Sequence, residues 1–364
     1  MMNNETRFAF LRFSLDIIDE KTLNSEGFFD DANWDELYAF AMKQTLVGVF
    51  ADGIKRLPKG PTEDQVMDWI GQQVKIQRQN TRLNNACVNV YNKLRDLGYN
   101  SCILKGQGNA LLYPNFYART SGDIDLWVDG TRNDIRKLAH QLVGANGHVG
   151  EESYNHIELD VDGVAVELHY TPAFMNSYSH NKKLQAWMRC ESAIQFKNKV
   201  LLPDTNAHIS IPTIEFNLVY QLVHLFHHVF FEGIGLRQMV DYYYVLVHSN
   251  HEDIMKAQET IKRLGLWKFA GAVMYVLHQV LNVDVHKMIA PMDGKRGEML
   301  LSDILQGGNF GKFGHKENEN KQGVQHNLLR LKRDIQLTKY YPSEALCEPW
   351  FRMWHYLWRK NRCK

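Results

Sequence analysis

Asp123 and Asp125 stand two residues apart in Gly122-Asp-Ile-Asp-Leu-Trp-Val128, a run in which polar and apolar residues alternate. In a strand, positions two apart point to the same face. The two carboxylates therefore project together, while Ile124, Leu126 and Val128 face a core. Neighbouring carboxylates repel each other unless a cation lies between them. A hard divalent ion such as Mg²⁺, held by a few carboxylates with substrate phosphates completing its shell, meets that need. A second acidic pair lies in His156-Ile-Glu-Leu-Asp-Val-Asp-Gly-Val-Ala-Val-Glu-Leu-His169. Asp162-Gly163 between two alternating runs predicts a two-residue hairpin. With that loop, Val161 faces Val164, Glu158 faces Glu167 and His156 faces His169. Ile157, Leu159, Val161, Val164, Val166 and Leu168 form the core side. His156, Glu158, Asp160, Glu167 and His169 form the polar side. Acid directly opposite acid destabilises a strand pair, and a cation between the two would relieve it.

The elements around these acids offer further candidates. A short apolar strand, Cys102-Ile-Leu104, turns at Lys105-Gly106, and a long connection ends in Arg119-Thr-Ser121-Gly122. Beside Gly106, backbone amides can approach a phosphate. The Lys105 ammonium either neutralises a bound triphosphate or is a solvated turn residue. Arg119 and Ser121 either contact phosphate or hold the carboxylates in place, and Tyr113 and Tyr117 read as packing. His224, His227 and His228 share one predicted helix, and His at i and i+4 can share a metal. Their neighbours Leu222, Val223, Leu225, Phe226, Val229 and Phe230 are apolar, so structural histidines on a helix lining the cleft are expected. Arg237 and Asp241, at i and i+4, are expected to pair. The aromatic residues from Tyr340 to Trp358 are read as packing of a terminal helix.

Lys105-Gly106, Arg119, Gly122-Asp-Ile-Asp-Leu126 and Glu167-Leu-His169 together resemble the nucleotidyltransferases of the DNA polymerase β superfamily. Within it, the chain is similar to a bacterial branch carrying LKG, LY, R, GDIDL and, later, ELH. The resemblance runs over residues 100 to 170 and into the helical region near 217 to 245. It implies an α+β fold, a small mixed sheet flanked by helical N-terminal and C-terminal regions. It also implies that Asp123 and Asp125 bind metal and that Glu167 completes the catalytic set, with Glu158 as the alternative on the same face. Mg²⁺ or Mn²⁺ would be the metal, and ATP or another nucleoside triphosphate the donor. Lys105, Gly106, Arg119, Ser121, Gly122 and His169 would surround the donor. The commoner turn of the superfamily is Gly-Ser, whose hydroxyl and amides hold the triphosphate, whereas this chain has Lys-Gly. The implied activity is transfer of a nucleoside monophosphate to an unidentified small-molecule or protein acceptor. The alternatives are an inactive nucleotide-binding or regulatory module, which the Lys-Gly turn favours, and a phosphotransferase on the same scaffold.

A chain of 364 residues with 45% apolar and 23% charged residues has the composition of a soluble globular protein of two or three parts. The expected division is a helical subdomain over 1–97, the catalytic core over 98–205 and a helical domain over 206–364. The net charge of +1 gives no global field for nucleic acid or membrane, and long nucleic acid is not an expected partner. The start lacks the layout of a signal peptide, and no apolar run reaches membrane-spanning length. Five scattered cysteines read as reduced thiols, which suits a cytoplasmic protein. Helices are predicted over 5–19, 34–54, 63–97, 132–143, 181–193 and 215–231. Others follow over 236–247, 252–264, 267–281, 295–305, 326–338 and 344–359, with a loop from Gln306 to Gly323.

Overall fold

A computed structural model describes residues 2–143, 148–309 and 324–360, the last segment with side chains from 330 onward. Among these residues five strands form one mixed sheet: β1 (Ser101–Leu104), β2 (Ile124–Val128), β3 (His148–Glu152), β4 (His156–Val161) and β5 (Val164–His169). Their order is β1-β2-β5-β4-β3, with β2 and β5 parallel and the other pairs antiparallel. Asp162 and Gly163 take φ of 54° and 74°, the doubly left-handed geometry of a type I′ hairpin turn. The β4–β5 register is the one read from the sequence, with His156 opposite His169 and Glu158 opposite Glu167. The strand β3 has no counterpart in the sequence reading, because its Gly150 and two glutamates break the apolar alternation that marks a strand.

One face of the sheet is apolar throughout. Ile103, Ile124, Leu126, Val128, Ile157, Leu159, Val166 and Leu168 pack with α6 (Glu63–Asp96) and α8 (Arg132–Val143). The other face is divided. Cys102, Leu104 and Trp127 join a helical core, with Trp127 stacked on Phe216 at 5.8 Å between ring centroids. Beside them, the polar ends of β2, β4 and β5 are left open.

That helical core draws on both ends of the sequence. Its N-terminal part is α1 (Asn4–Ser14), α2 (Glu20–Ser25), α3 (Phe28–Asp31), α4 (Trp34–Gln44) and α5 (Val47–Ile54). The helix expected over 34–54 is broken: Thr45 takes a left-handed φ of 58° and ends α4. The break sets Gly48 against the Ala118 backbone, where a Cβ would overlap the Ala118 carbonyl. After α6 come α7 (Gly106–Ala110) in the connection to β2, and α9 (Tyr178–Gln195). A small ribbon of β6 (Lys199–Leu201) and β7 (His208–Ser210) follows. The C-terminal part holds α10 (Ile214–Phe231), α11 (Leu236–Val247), α12 (His251–Arg263), α13 (Trp267–Leu281) and α14 (Gly294–Gly307). It continues with α15 (Val324–Thr338), α16 (Pro342–Ala345) and α17 (Glu348–Lys360). Arg12 of α1 donates to the Val280 carbonyl at 3.4 Å. Gln44 bridges two distant segments, donating to the Ile304 carbonyl at 3.0 Å and accepting from the Leu236 amide at 2.9 Å. The loop expected from Gln306 to Gly323 lies outside the described residues from 310 onward, as does Cys363. No helix among the described residues is long and apolar enough to cross a membrane.

Candidate active site

The open part of the sheet is the floor of a cavity of about 550 Å³ whose far wall is α10 and α11. Three acids form a row across the sheet, because Asp125 is the register partner of Glu167 and Glu167 that of Glu158. Asp123 lies just before β2 and faces solvent at the same cavity. Oxygens of Asp123, Asp125 and Glu167 lie within 4.8 Å of one another. All three donors are hard carboxylate oxygens, a set that suits Mg²⁺ or Mn²⁺. Glu158 stands one strand further out, is largely exposed and lies outside that cluster.

Two cationic side chains converge on Asp125, which is only 2% exposed. Lys105 Nζ lies 2.9 Å from Asp125 Oδ1, and His169 Nε2 lies 3.0 Å from the same oxygen. Lys105 is therefore inside the site rather than in a solvated turn. Its backbone holds a φ of 46°, uncommon for a residue with a Cβ. The positive φ of Gly106 continues that turn, and Gly122 leaves open space beside Asp123. His169 Nε2 also lies 3.1 Å from Glu167 Oε2, so one imidazole bridges two carboxylates. Asn155 Nδ2 is 3.3 Å from His169 Nδ1 and steadies the ring from the other side.

The electrostatics follow from this crowding. Burial opposes a charge on Asp125, but Lys105 and His169 outweigh it and hold the carboxyl well below its usual range. The charge of Asp125 pushes Asp123 upward. Burial works against Glu167 too, and the His169 hydrogen bond prevails and lowers it. His169 resists charging through burial, yet its bonds to Asp125 and Glu167 raise it to about 9. Because that value lies above the ordinary 6.5, the stabilisation is complete below about pH 6.5 and fades as pH rises through 9. In chelator-treated protein, the stability gap between wild type and His169→Gln should shrink by roughly 3 kcal/mol from pH 6 to pH 9.5. Urea unfolding at both pH values measures this, and a constant gap would show that His169 is neutral at this site.

Arg119 and Ser121 are placed behind the acids. Arg119 Nε and Nη2 each donate to a separate oxygen of Asp241 at 2.8 Å, and Nη1 donates to Ser121 Oγ at 2.7 Å. Tyr113 donates its hydroxyl to Asp241 at 2.7 Å. Asp241 thus takes Arg119 as its partner rather than Arg237, whose Nη1 donates to the Thr120 carbonyl at 2.7 Å. The reason is geometric: the planar guanidinium of Arg119 meets the carboxylate edge to edge, a bidentate fit that outcompetes a helical i,i+4 pair. Both residues therefore brace the 119–122 loop that delivers Asp123.

On α10, His224, His227 and His228 all line the cavity. His224 Nε2 is 3.5 Å from Lys105 Nζ, and His227 stacks on Phe231 with 4.1 Å between ring centroids. Burial, with the nearby positive charges, keeps His224 and His227 well below the usual histidine range. Asn109, Asn155, Phe174 and Gln221 also line the cavity, and the sequence reading passed over them. A signal for Gln221 was present. Asn217, Gln221, His224 and His228 recur at spacings of four, three and four along an otherwise apolar helix. A polar stripe of that period marks a buried helix that faces a wet cavity.

A family model described as an uncharacterised nucleotidyltransferase matches residues 30–282. No curated protein matches the sequence. Among solved structures, an antigenic nucleotidyltransferase-like protein from Paracoccidioides brasiliensis aligns at 14% identity and TM-score 0.35, over 59% of this chain and 96% of that one. The Thermotoga maritima CCA-adding enzyme complexed with tRNA aligns at 12% identity and TM-score 0.22, over 75% and 80%. The family match spans more than two thirds of the chain and takes in Lys105, both aspartates, Glu167, His169 and all of α10 and α11, so the chain belongs to this nucleotidyltransferase family.

Proposed function

We propose that the protein transfers a nucleoside monophosphate from a nucleoside triphosphate to an acceptor hydroxyl or phosphate, with Asp123, Asp125 and Glu167 as the catalytic carboxylates. The observation that carries this reading is the meeting of those three side chains on the floor of a cavity able to hold a nucleotide. In the reaction an acceptor oxygen bonds to the α-phosphorus, the bond to the bridging oxygen of the β-phosphate breaks, pyrophosphate leaves, and a proton lost from an acceptor hydroxyl passes to one of the site aspartates. When bound at the three carboxylates, Mg²⁺ or Mn²⁺ would neutralise phosphate charge and lower the pKa of the acceptor hydroxyl. The chain's own residues fix the geometry. Lys105 and His169 orient Asp125, His169 orients Glu167, and the Arg119–Asp241 pair holds the loop carrying Asp123. Lys105 Nζ, facing the cavity, adds a positive charge for the donor's phosphates.

One observation favours a second reading, a nucleotide-binding module without chemistry. Lys105 and His169 already give Asp125 the positive charge that a metal would otherwise supply. Thermal unfolding with ATP, GTP, CTP and UTP, each with and without Mg²⁺ or Mn²⁺, separates the two. A ligand at about 100 times its Kd adds roughly 2.7 kcal/mol. A stabilisation that needs both nucleotide and metal is expected. Equal stabilisation without metal supports the module, and no response to any nucleotide removes the donor from the proposal.

A further inference from the structure

The acids form one row on the cavity floor, and a second row runs beside it. Trp127, His169 and His156 are register partners across β2, β5 and β4. His156 and His169 face each other with 5.1 Å between ring centroids. Glu167 reaches between them: its Oε2 lies 3.5 Å from His156 Nδ1 and 3.1 Å from His169 Nε2. Donor atoms of His156, Glu167 and His169 all fall within 4.8 Å of one another. This group differs in kind from the acidic one. Two imidazoles and a carboxylate are the donors of zinc and its neighbours, whereas Mg²⁺ takes oxygen.

Two further features point to a ligand here. His156 Nδ1 is buried and makes no hydrogen bond, and its other nitrogen lies 3.9 Å from Glu158 Oε1. A buried ring nitrogen without a hydrogen bond is a cost to the fold, and coordination would remove it. The donors also sit on a hairpin closed by a two-residue turn, so they are held in register before any ion arrives.

We propose that His156, Glu167 and His169 form a binding site for a zinc-like transition-metal ion, separate from the acidic site and sharing Glu167 with it. Three protein ligands leave a fourth position open toward the cavity. An ion held there draws Glu167 away from Asp123 and Asp125 and releases Asp125 from His169. Zinc therefore competes with Mg²⁺ and inhibits transfer. The inhibition rests on the proposed function, whereas the binding does not.

The test measures binding directly. Metal-free protein is titrated with Co²⁺, followed by its visible absorption, and with Zn²⁺, followed by calorimetry. Wild type should bind at one site. His156→Ala and the size-matched His156→Gln should each weaken binding at least tenfold. Asp123→Asn should bind like wild type. Wild-type affinity in both His156 variants overturns the proposal, as does a loss in Asp123→Asn equal to that in His156→Ala, which would place the ion on the acids. Unchanged melting temperatures of the metal-free variants show that the fold is intact. A protein that binds zinc in this pattern but responds to no nucleotide refutes the transferase reading and leaves the site standing.

Discussion

Asp123→Asn is expected to fold as well as wild type while losing nucleotidyl transfer by at least about 10²-fold, the scale of removing one preorganised electrostatic contact. The two halves of this prediction rest on different observations. Asp123 is exposed and makes no hydrogen bond or ion pair among the described residues, so its removal leaves no partner stranded. Its carboxyl is pushed upward by the charge on Asp125, so at neutral pH it strains the metal-free protein. The variant should therefore be at least as stable as wild type without metal, and fail to gain stability from nucleotide and metal together. A surface carboxylate kept for solubility gives neither result. Transfer is followed with donors labelled at the α- or the γ-phosphate, using Mn²⁺ and a cell extract as the source of acceptor. Movement of the α-label with release of pyrophosphate is expected. Movement of the γ-label would make the protein a phosphotransferase, and an Asp123→Asn protein with full activity would move the site elsewhere.

Breaking the Arg119–Asp241 pair should have the largest effect on stability. Both residues are buried, at 4% and 5% exposure, and are joined by two hydrogen bonds of 2.8 Å. Removing one partner leaves a buried charge without compensation, at a cost of about 3–5 kcal/mol. Arg119→Met and Asp241→Leu should each lose that much in urea unfolding. The double variant should lose less than either single change, because no charge is then left alone. Additive losses in the cycle would show that the two residues act independently. The double variant also isolates the bracing role, since Asp123 is then delivered by a loop that has lost its anchor.

The parts of the site that could be read from the sequence are those written in short-range patterns. Alternation and an Asp-Gly turn were enough to set Glu158 against Glu167 and His156 against His169, because a hairpin's register follows from its loop. The likeness in GDIDL and ELH supplied Glu167 as partner to the two aspartates, although β2 and β5 are 35 or more residues apart in the chain. What escaped was decided at long range. The partner of Asp241 lies 122 residues away, and no local rule prefers it to Arg237. The break at Thr45 answers to the backbone of Ala118, which Gly48 must approach. Strand β3 owes its existence to pairing with β4 rather than to its own composition.

The shared helical core has a consequence for the order in which the chain can fold. During synthesis, α1 to α5 emerge long before α10 to α14, yet they bury their apolar faces together. Arg12 waits for a carbonyl 268 residues downstream, and Gln44 for one 260 downstream. The sheet with α6 and α8 draws its partners from residues 83 to 209 and can close first. The leading helices then remain an uncovered apolar surface until the last third of the chain arrives, the kind of intermediate that chaperones bind. The helical core can therefore close only once both ends of the chain are present.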